Sequence, residues 1–104
     1  MKKIMLVCSA GMSTSLLVTK MEQAAEKVGD EVEIFALPMS DGINRLSTVD
    51  CVLLGPQVRF NLGKIKEEAA KVNPGLPVDV IDMKDYGTMN GEKVYNYAKK
   101  LMDE

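Results

Sequence analysis

Four short apolar runs alternate with segments of helical period along this chain, and that alternation restricts its fold more than any other feature. Lys3–Cys8, Glu31–Leu37, Asp50–Leu54 and Val78–Ile81 read as strands. Between them, Thr14–Val28 spaces Leu17, Met21, Ala24, Ala25 and Val28 as one helical face, and Gly29 supplies a stop. Ser40–Ser47 is a short helical stretch with Ser40 as its cap. Asn61–Val72 aligns Leu62, Ile65, Ala69 and Val72 and ends at Pro74-Gly75. Asn90–Met102 turns Val94, Tyr97, Ala98 and Leu101 inward. Beyond Lys3 and Asp50 the first and third strands are continuous apolar runs, as strands covered on both faces must be. The expected fold is therefore α/β: one domain over residues 1–104, with a four-stranded parallel sheet and helices on both faces. Right-handed crossovers favour the strand order 2-1-3-4.

The chain has no histidine. That excludes Ser-His-Asp and Cys-His catalysis by this chain alone, together with His-ligated zinc. It also excludes phosphohistidine chemistry on its own residues. A formal net charge of −2 argues against nucleic acid as a partner. Neither a metal-ligand cluster nor a dinucleotide fingerprint is visible, so no metal and no cofactor are expected. The apolar run after Lys2-Lys3 is shorter than the roughly 7–15 residues of a signal-peptide core. No stretch approaches the ~18 apolar residues of a membrane span. A cytoplasmic protein without membrane insertion is expected.

In a sheet of order 2-1-3-4, strands 1 and 3 flank the topological switch point, where ligands sit beyond the carboxyl ends of the strands. The loop there reads Cys8-Ser9-Ala10-Gly11-Met12-Ser13-Thr14-Ser15. It has four hydroxyls, a glycine and no charged side chain. Successive backbone N–H groups and the following helix N-terminus suit a phosphate, in the manner of a P-loop. Cys8 is expected at the rim of this anion nest, where a helix N-terminus favours thiolate over thiol. Backbone amides and hydroxyls of Ser9 to Ser15 would hold the phosphoryl oxygens, and Ser13 or Thr14 would cap the helix. The competing reading is a buried core thiol in an ordinary turn.

A cysteine at a strand–loop–helix junction also resembles the tyrosine phosphatases, with their C-x5-R signature. The low-molecular-weight members share the expected sheet arrangement. Here the arginine position is Thr14. Without a fixed guanidinium, dianion binding and transition-state neutralisation are weakened. Holding a phosphoryl group and handing it on is favoured over hydrolysis, although a phosphatase-like hydrolase and a thiol redox or interaction module remain the alternatives.

The segment from Cys8 to Val18 closely resembles the start of enzyme IIB subunits of the phosphoenolpyruvate-dependent sugar phosphotransferase system, in the lactose/cellobiose/chitobiose family. Val52-Leu53-Leu54-Gly55-Pro56-Gln57, Val80-Ile81-Asp82 and Tyr86-Gly87 agree with it. The resemblance implies that Cys8 accepts a phosphoryl group from a phosphohistidine on a IIA subunit. The phosphocysteine would then pass it to a sugar moved by the membrane subunit IIC, with which this chain would associate peripherally.

Other residues join the site by position. Gln57 follows strand 3 at the same sheet edge and can bond a phosphoryl oxygen, a partner or water. Arg59 can steer an anionic partner, although a solvated charge is the simpler reading. Met12 and Phe60 are candidate docking knobs. Asp82 and Asp85 follow strand 4, where a carboxylate serves as a general acid or, more simply, as a cap; Tyr86 packs over the loop or meets a partner. Met5 and Met21 read as core fillers. Cys51 is expected beside Ile4 or Met5, about 10–13 Å from Cys8 at ~3.3 Å per residue, too far for a disulfide.

Overall fold

The computed structural model describes residues 1–9 and 12–102; the side chains of Met12 and Ser13 fall outside that description. The strands are β1 (Lys2–Cys8), β2 (Val32–Pro38), β3 (Cys51–Leu54) and β4 (Val78–Val80). They form one parallel sheet in the order β2-β1-β3-β4. The helices are α1 (Met12–Lys27), α2 (Met39–Gly42), α3 (Leu62–Val72), α4 (Met83–Gly87) and α5 (Gly91–Leu101). Short 3₁₀ helices occupy Ile43–Thr48 and Pro56–Asn61.

The unbroken apolar runs of β1 and β3 follow from two separate cores. Ile4 and Leu6 of β1, with Cys51 and Leu53 of β3, pack with α1 and α5 around Leu17, Met21, Val94, Tyr95 and Ala98. Met5, Val7, Val52 and Leu54 point the other way, onto Ile65 and Ala69 of α3 and onto Leu46. Side chains alternate across a strand, so a strand buried on both faces must be apolar at every position. Met5 and Met21 are fully buried, as expected of core fillers. Cys51 pairs with Ile4, and both cysteines are free.

Several expectations are corrected. Val28 and Val72 are exposed, because each lies at the end of its helix, beyond the part that packs on the sheet. The segment at 40–47 is a four-residue α-helix opened by Pro38 and continued as a 3₁₀ helix, so Ser40 is not its cap. Tyr95 is the buried tyrosine of α5, while Tyr97 is half-buried and bonds Asp79 on β4. Helix α4 and the 3₁₀ helix at 56–61 have no counterpart in the periodicity, being too short to establish one.

Two contacts set the position of α1. Its end reverses at Gly29, whose φ of +77° suits glycine. The next residue, Asp30, accepts from the Tyr95 hydroxyl at 2.7 Å and the Lys99 ammonium at 2.8 Å, tying the end of α1 to α5. Lys99 and Tyr95 hold the Asp30 carboxyl below its usual range.

Candidate functional site

The carboxyl ends of β1, β3 and β4 open onto a common edge, and backbone bonds keep the chains adjacent past the strands. Gly55 N–H donates to the Val7 carbonyl, and Ile81 N–H to the Leu54 carbonyl, both at 2.8 Å. Cys8 ends β1 and pairs with Pro38 of β2. It is 2% exposed, so it lies beneath this edge and not at a rim, as the loop pattern suggested. The reason is its central strand, flanked by β2 on one side and the Gly55 turn on the other. A β-carbon built on Gly55 would stand 3.7 Å from Cys8 Cβ.

Helix α1 starts at Met12. Ser13 and Thr14 are therefore inside its first turn and not ahead of it as caps. Thr14 is 1% exposed, and its hydroxyl lies 3.4 Å from the Tyr86 hydroxyl. Ser9 and Ser15 are exposed. Ala10 and Gly11, with the side chains of Met12 and Ser13, lie outside the described residues, and the nest expected there lies outside them too.

Pro56 opens the 3₁₀ helix after β3, and Gln57 turns its carboxamide back across the edge. Gln57 Nε2 donates to the Tyr86 hydroxyl at 3.0 Å. Gln57 Oε1 would stand 2.7 Å from a β-carbon at Gly55, so the carboxamide would have to shift to admit one. Thr14 in the first turn of α1, Gln57 in the 3₁₀ helix after β3 and Tyr86 in α4 thus form a chain of polar groups. The tie between Thr14 and Tyr86 left no mark in the sequence.

Asp82 caps α4, its carboxylate accepting from Lys84 N–H at 2.9 Å and Asp85 N–H at 3.1 Å. The simpler of its two expected roles is the one observed. Asp82 and Asp85 also line a cleft of about 510 Å³ with Val80 of β4 and Val94 and Tyr97 of α5. Arg59 donates to the Pro56 carbonyl at 2.8 Å and lies 4.5 Å from the Phe60 ring centroid. Phe60 is 84% exposed. Leu16 and Met83, at the starts of α1 and α4, are also exposed. Leu16 was legible as an apolar residue off the inward face of α1; Met83 was not, since its helix was not.

Among the described residues no group of three or more cysteine and acidic side chains is placed to hold a metal ion. No helix among them is long and apolar enough to cross a membrane.

Comparison with known proteins places this geometry in context. Residues 3–97 match the family model "PTS system, Lactose/Cellobiose specific IIB subunit". The oligo-β-mannoside-specific EIIB component of Bacillus subtilis (strain 168) is 46% identical, covering 98% of this chain and 97% of that protein. The galactose-specific and cellobiose-specific EIIB components of Lactococcus lactis (strains MG1363 and IL1403) are each 48% identical with the same coverage. Among solved structures, the cellobiose-specific IIB component of Borrelia burgdorferi is 39% identical, with a TM-score of 0.79 over 98% of this chain and 92% of that one. The lactose-specific IIB domain of Streptococcus pneumoniae shares the fold at a TM-score of 0.84 and 16% identity, covering 95% of each chain. A YwlE mutant from Bacillus subtilis shares the fold alone, at 0.52 and 11% over 98% and 94%; the arrangement is of the low-molecular-weight tyrosine phosphatase kind. The chain belongs to the lactose/cellobiose-specific IIB subunits of the sugar phosphotransferase system.

Proposed function

We propose that this chain is a phosphoryl carrier acting through Cys8. The observation that carries the reading is the position of Cys8. It is the last residue of the central strand β1, and α1 begins four residues later, at the switch point between β1 and β3. The donor is a phosphohistidine on a IIA subunit. Sulfur attacks phosphorus, the P–N bond breaks, and the thiol proton ends on the imidazole nitrogen that loses the phosphoryl group. In the second step a sugar hydroxyl oxygen attacks phosphorus and the S–P bond breaks. The hydroxyl proton then restores the thiol. The sugar, of the lactose/cellobiose class, is presented by membrane IIC, so the chain works at the cytoplasmic face without inserting.

Phosphoryl transfer is chiefly positioning and charge stabilisation. The backbone amides from Ser9 to Ser15, including those of Ala10, Gly11, Met12 and Ser13, would hold the phosphoryl oxygens, with the N-terminus of α1 behind them. Gln57 would add one side-chain contact. Exposed Leu16 on α1, Phe60 in the 3₁₀ helix after β3 and Met83 at the start of α4 would offer apolar contacts to a docking partner. Met12 joins them by position. Arg59 lies against Phe60 and can meet the partner's phosphate.

The hydrolase alternative needs an arginine where Thr14 stands, buried against Tyr86. The redox alternative needs a second thiol in reach, and Cys51 is paired with Ile4, four strand positions before Cys8.

Incubation with a phosphorylated IIA subunit, followed by intact-mass measurement, tests the proposal. One phosphoryl group is expected on the unchanged chain and none on Cys8→Ser. Lack of an adduct, or an adduct on another residue, would overturn it.

A further inference from the structure

Packing compels a glycine at the start of α5. A β-carbon on Gly91 would stand 2.4 Å from both the carbonyl carbon and Cβ of Lys20, so a side chain there would force α1 and α5 apart. The residue before it, Asn90, caps α5 through its carboxamide oxygen, which accepts from Lys93 N–H at 3.1 Å. These two requirements create the chain's one Asn-Gly pair; Asn44, Asn61, Asn73 and Asn96 precede bulkier residues. The pair is chemically labile, because a peptide nitrogen can attack the carboxamide before it, and glycine, lacking Cβ, leaves that approach open.

We infer that Asn90 is a deamidation site that the fold holds in check and that reacts when the start of α5 opens. In the reaction the Gly91 nitrogen bonds to Asn90 Cγ, the bond from Cγ to Nδ2 breaks, and ammonia leaves with the peptide proton. Water then opens the imide ring at either carbonyl, giving aspartate or isoaspartate. In the folded chain both reacting groups are engaged. Gly91 N–H donates to the Met89 carbonyl at 3.0 Å, and the carboxamide oxygen holds the first turn of α5. Asn90 N–H donates to the Asp85 carbonyl at 2.9 Å and steadies the backbone on the other side. Water itself is at hand, since Asn90, Gly91 and Lys20 line a cleft of about 450 Å³. The two products differ in consequence. Aspartate keeps a capping oxygen and adds negative charge at a helix N-terminus, which favours it. Isoaspartate puts an extra carbon into the main chain just before Gly91, and the close approach to Lys20 is lost. An opening of α5 is thus recorded as a covalent change that hinders its closing.

The test incubates the whole chain at mildly alkaline pH, folded and in urea, and follows each asparagine by peptide mapping. In urea Asn90 should convert ahead of the other asparagines, with isoaspartate as the main product. In the folded chain its conversion should be about tenfold slower or more, as for a step that waits on local opening. Val94→Ala removes a buried contact near the start of α5 and leaves Asn90 and Gly91 untouched. It should raise the folded rate severalfold and leave the rate in urea as it was. Should that variant not fold, graded urea below the unfolding midpoint of the unchanged chain gives the same reading, with the rate rising as α5 opens. Amide hydrogen exchange in α5 should be faster in the isoaspartate-bearing chain than in Asn90→Asp. Equal rates at Asn90 with and without urea would overturn the inference. So would α5 exchange no faster with isoaspartate than in Asn90→Asp.

Discussion

Gly91, the first residue of α5, lies against the backbone of Lys20 on α1 so closely that a β-carbon there would stand 2.4 Å from the Lys20 carbonyl carbon. The two helices cross at this point and together cover one face of the sheet. Gly91→Ala must push α5 away from α1. The expected cost is about 1–3 kcal/mol, which lowers the thermal midpoint by roughly 4–8 °C per kcal/mol in a domain of this size. Gly63, also helical, has nothing within 4 Å of its would-be β-carbon. Gly63→Ala should stabilise by ~0.5–1 kcal/mol. Calorimetry on the two variants checks both signs.

Asp82 bonds two backbone amides of α4. Asp82→Ala should cost about 0.5–2 kcal/mol, and Asp82→Asn, which keeps a capping oxygen, much less. Phosphoryl uptake from IIA should persist in Asp82→Asn. A loss of uptake in Asp82→Asn at full stability would make the carboxylate a proton donor in the reaction.

Stability should decline on the alkaline side. Burial, with Asp79 and Asp50 adding, pushes the Cys51 thiol from 9.0 up to about 12. The bond to the Asp79 carboxylate, with burial, raises Tyr97 from 10.0 to about 12. In each case the unfolded chain releases its proton first. Stability is thus fully present below about pH 9 and falls as pH rises toward 12, by up to about 1.4 kcal/mol per pH unit from Cys51 alone. Denaturant midpoints measured between pH 8 and 11 check this, and Cys51→Ala should flatten the decline.

Phe60 is 84% exposed, with the Arg59 guanidinium against its ring. Phe60→Ala should alter stability by less than ~0.5 kcal/mol, as exposed substitutions do. If the residue docks a partner, KM for a phosphorylated IIA subunit should rise about tenfold, equivalent to ~1.4 kcal/mol, with kcat little changed. Initial rates at varied IIA concentration separate the two.

The alternation of short apolar runs with helical faces was enough to settle the architecture. Burial on two faces makes β1 apolar from Ile4 onward and β3 apolar throughout, and the resulting parallel sheet has the order expected from its crossovers. Cys51 lies opposite Ile4 for the same reason: adjacent parallel strands in register leave little freedom. The cysteine at the end of β1, before a helix, was also legible, because residues 8 to 15 are near neighbours along the chain.

What the tertiary structure alone decided concerns residues far apart in sequence. Thr14 and Tyr86 are separated by 72 positions, and Gln57 and Tyr86 by 29. No local periodicity carries such a contact, which exists only once β1, β3 and β4 align their carboxyl ends. The depth of Cys8 is of the same kind. Its neighbours in sequence are a strand and a polar loop, while Pro38 on β2 and the turn at Gly55 flank it from far along the chain. Val28 and Val72 show the converse, since both obey the helical pattern and still reach solvent where the helix outruns the sheet. Local sequence sets which face of each element is apolar; only packing sets how far the core extends and which distant polar groups meet at its edge.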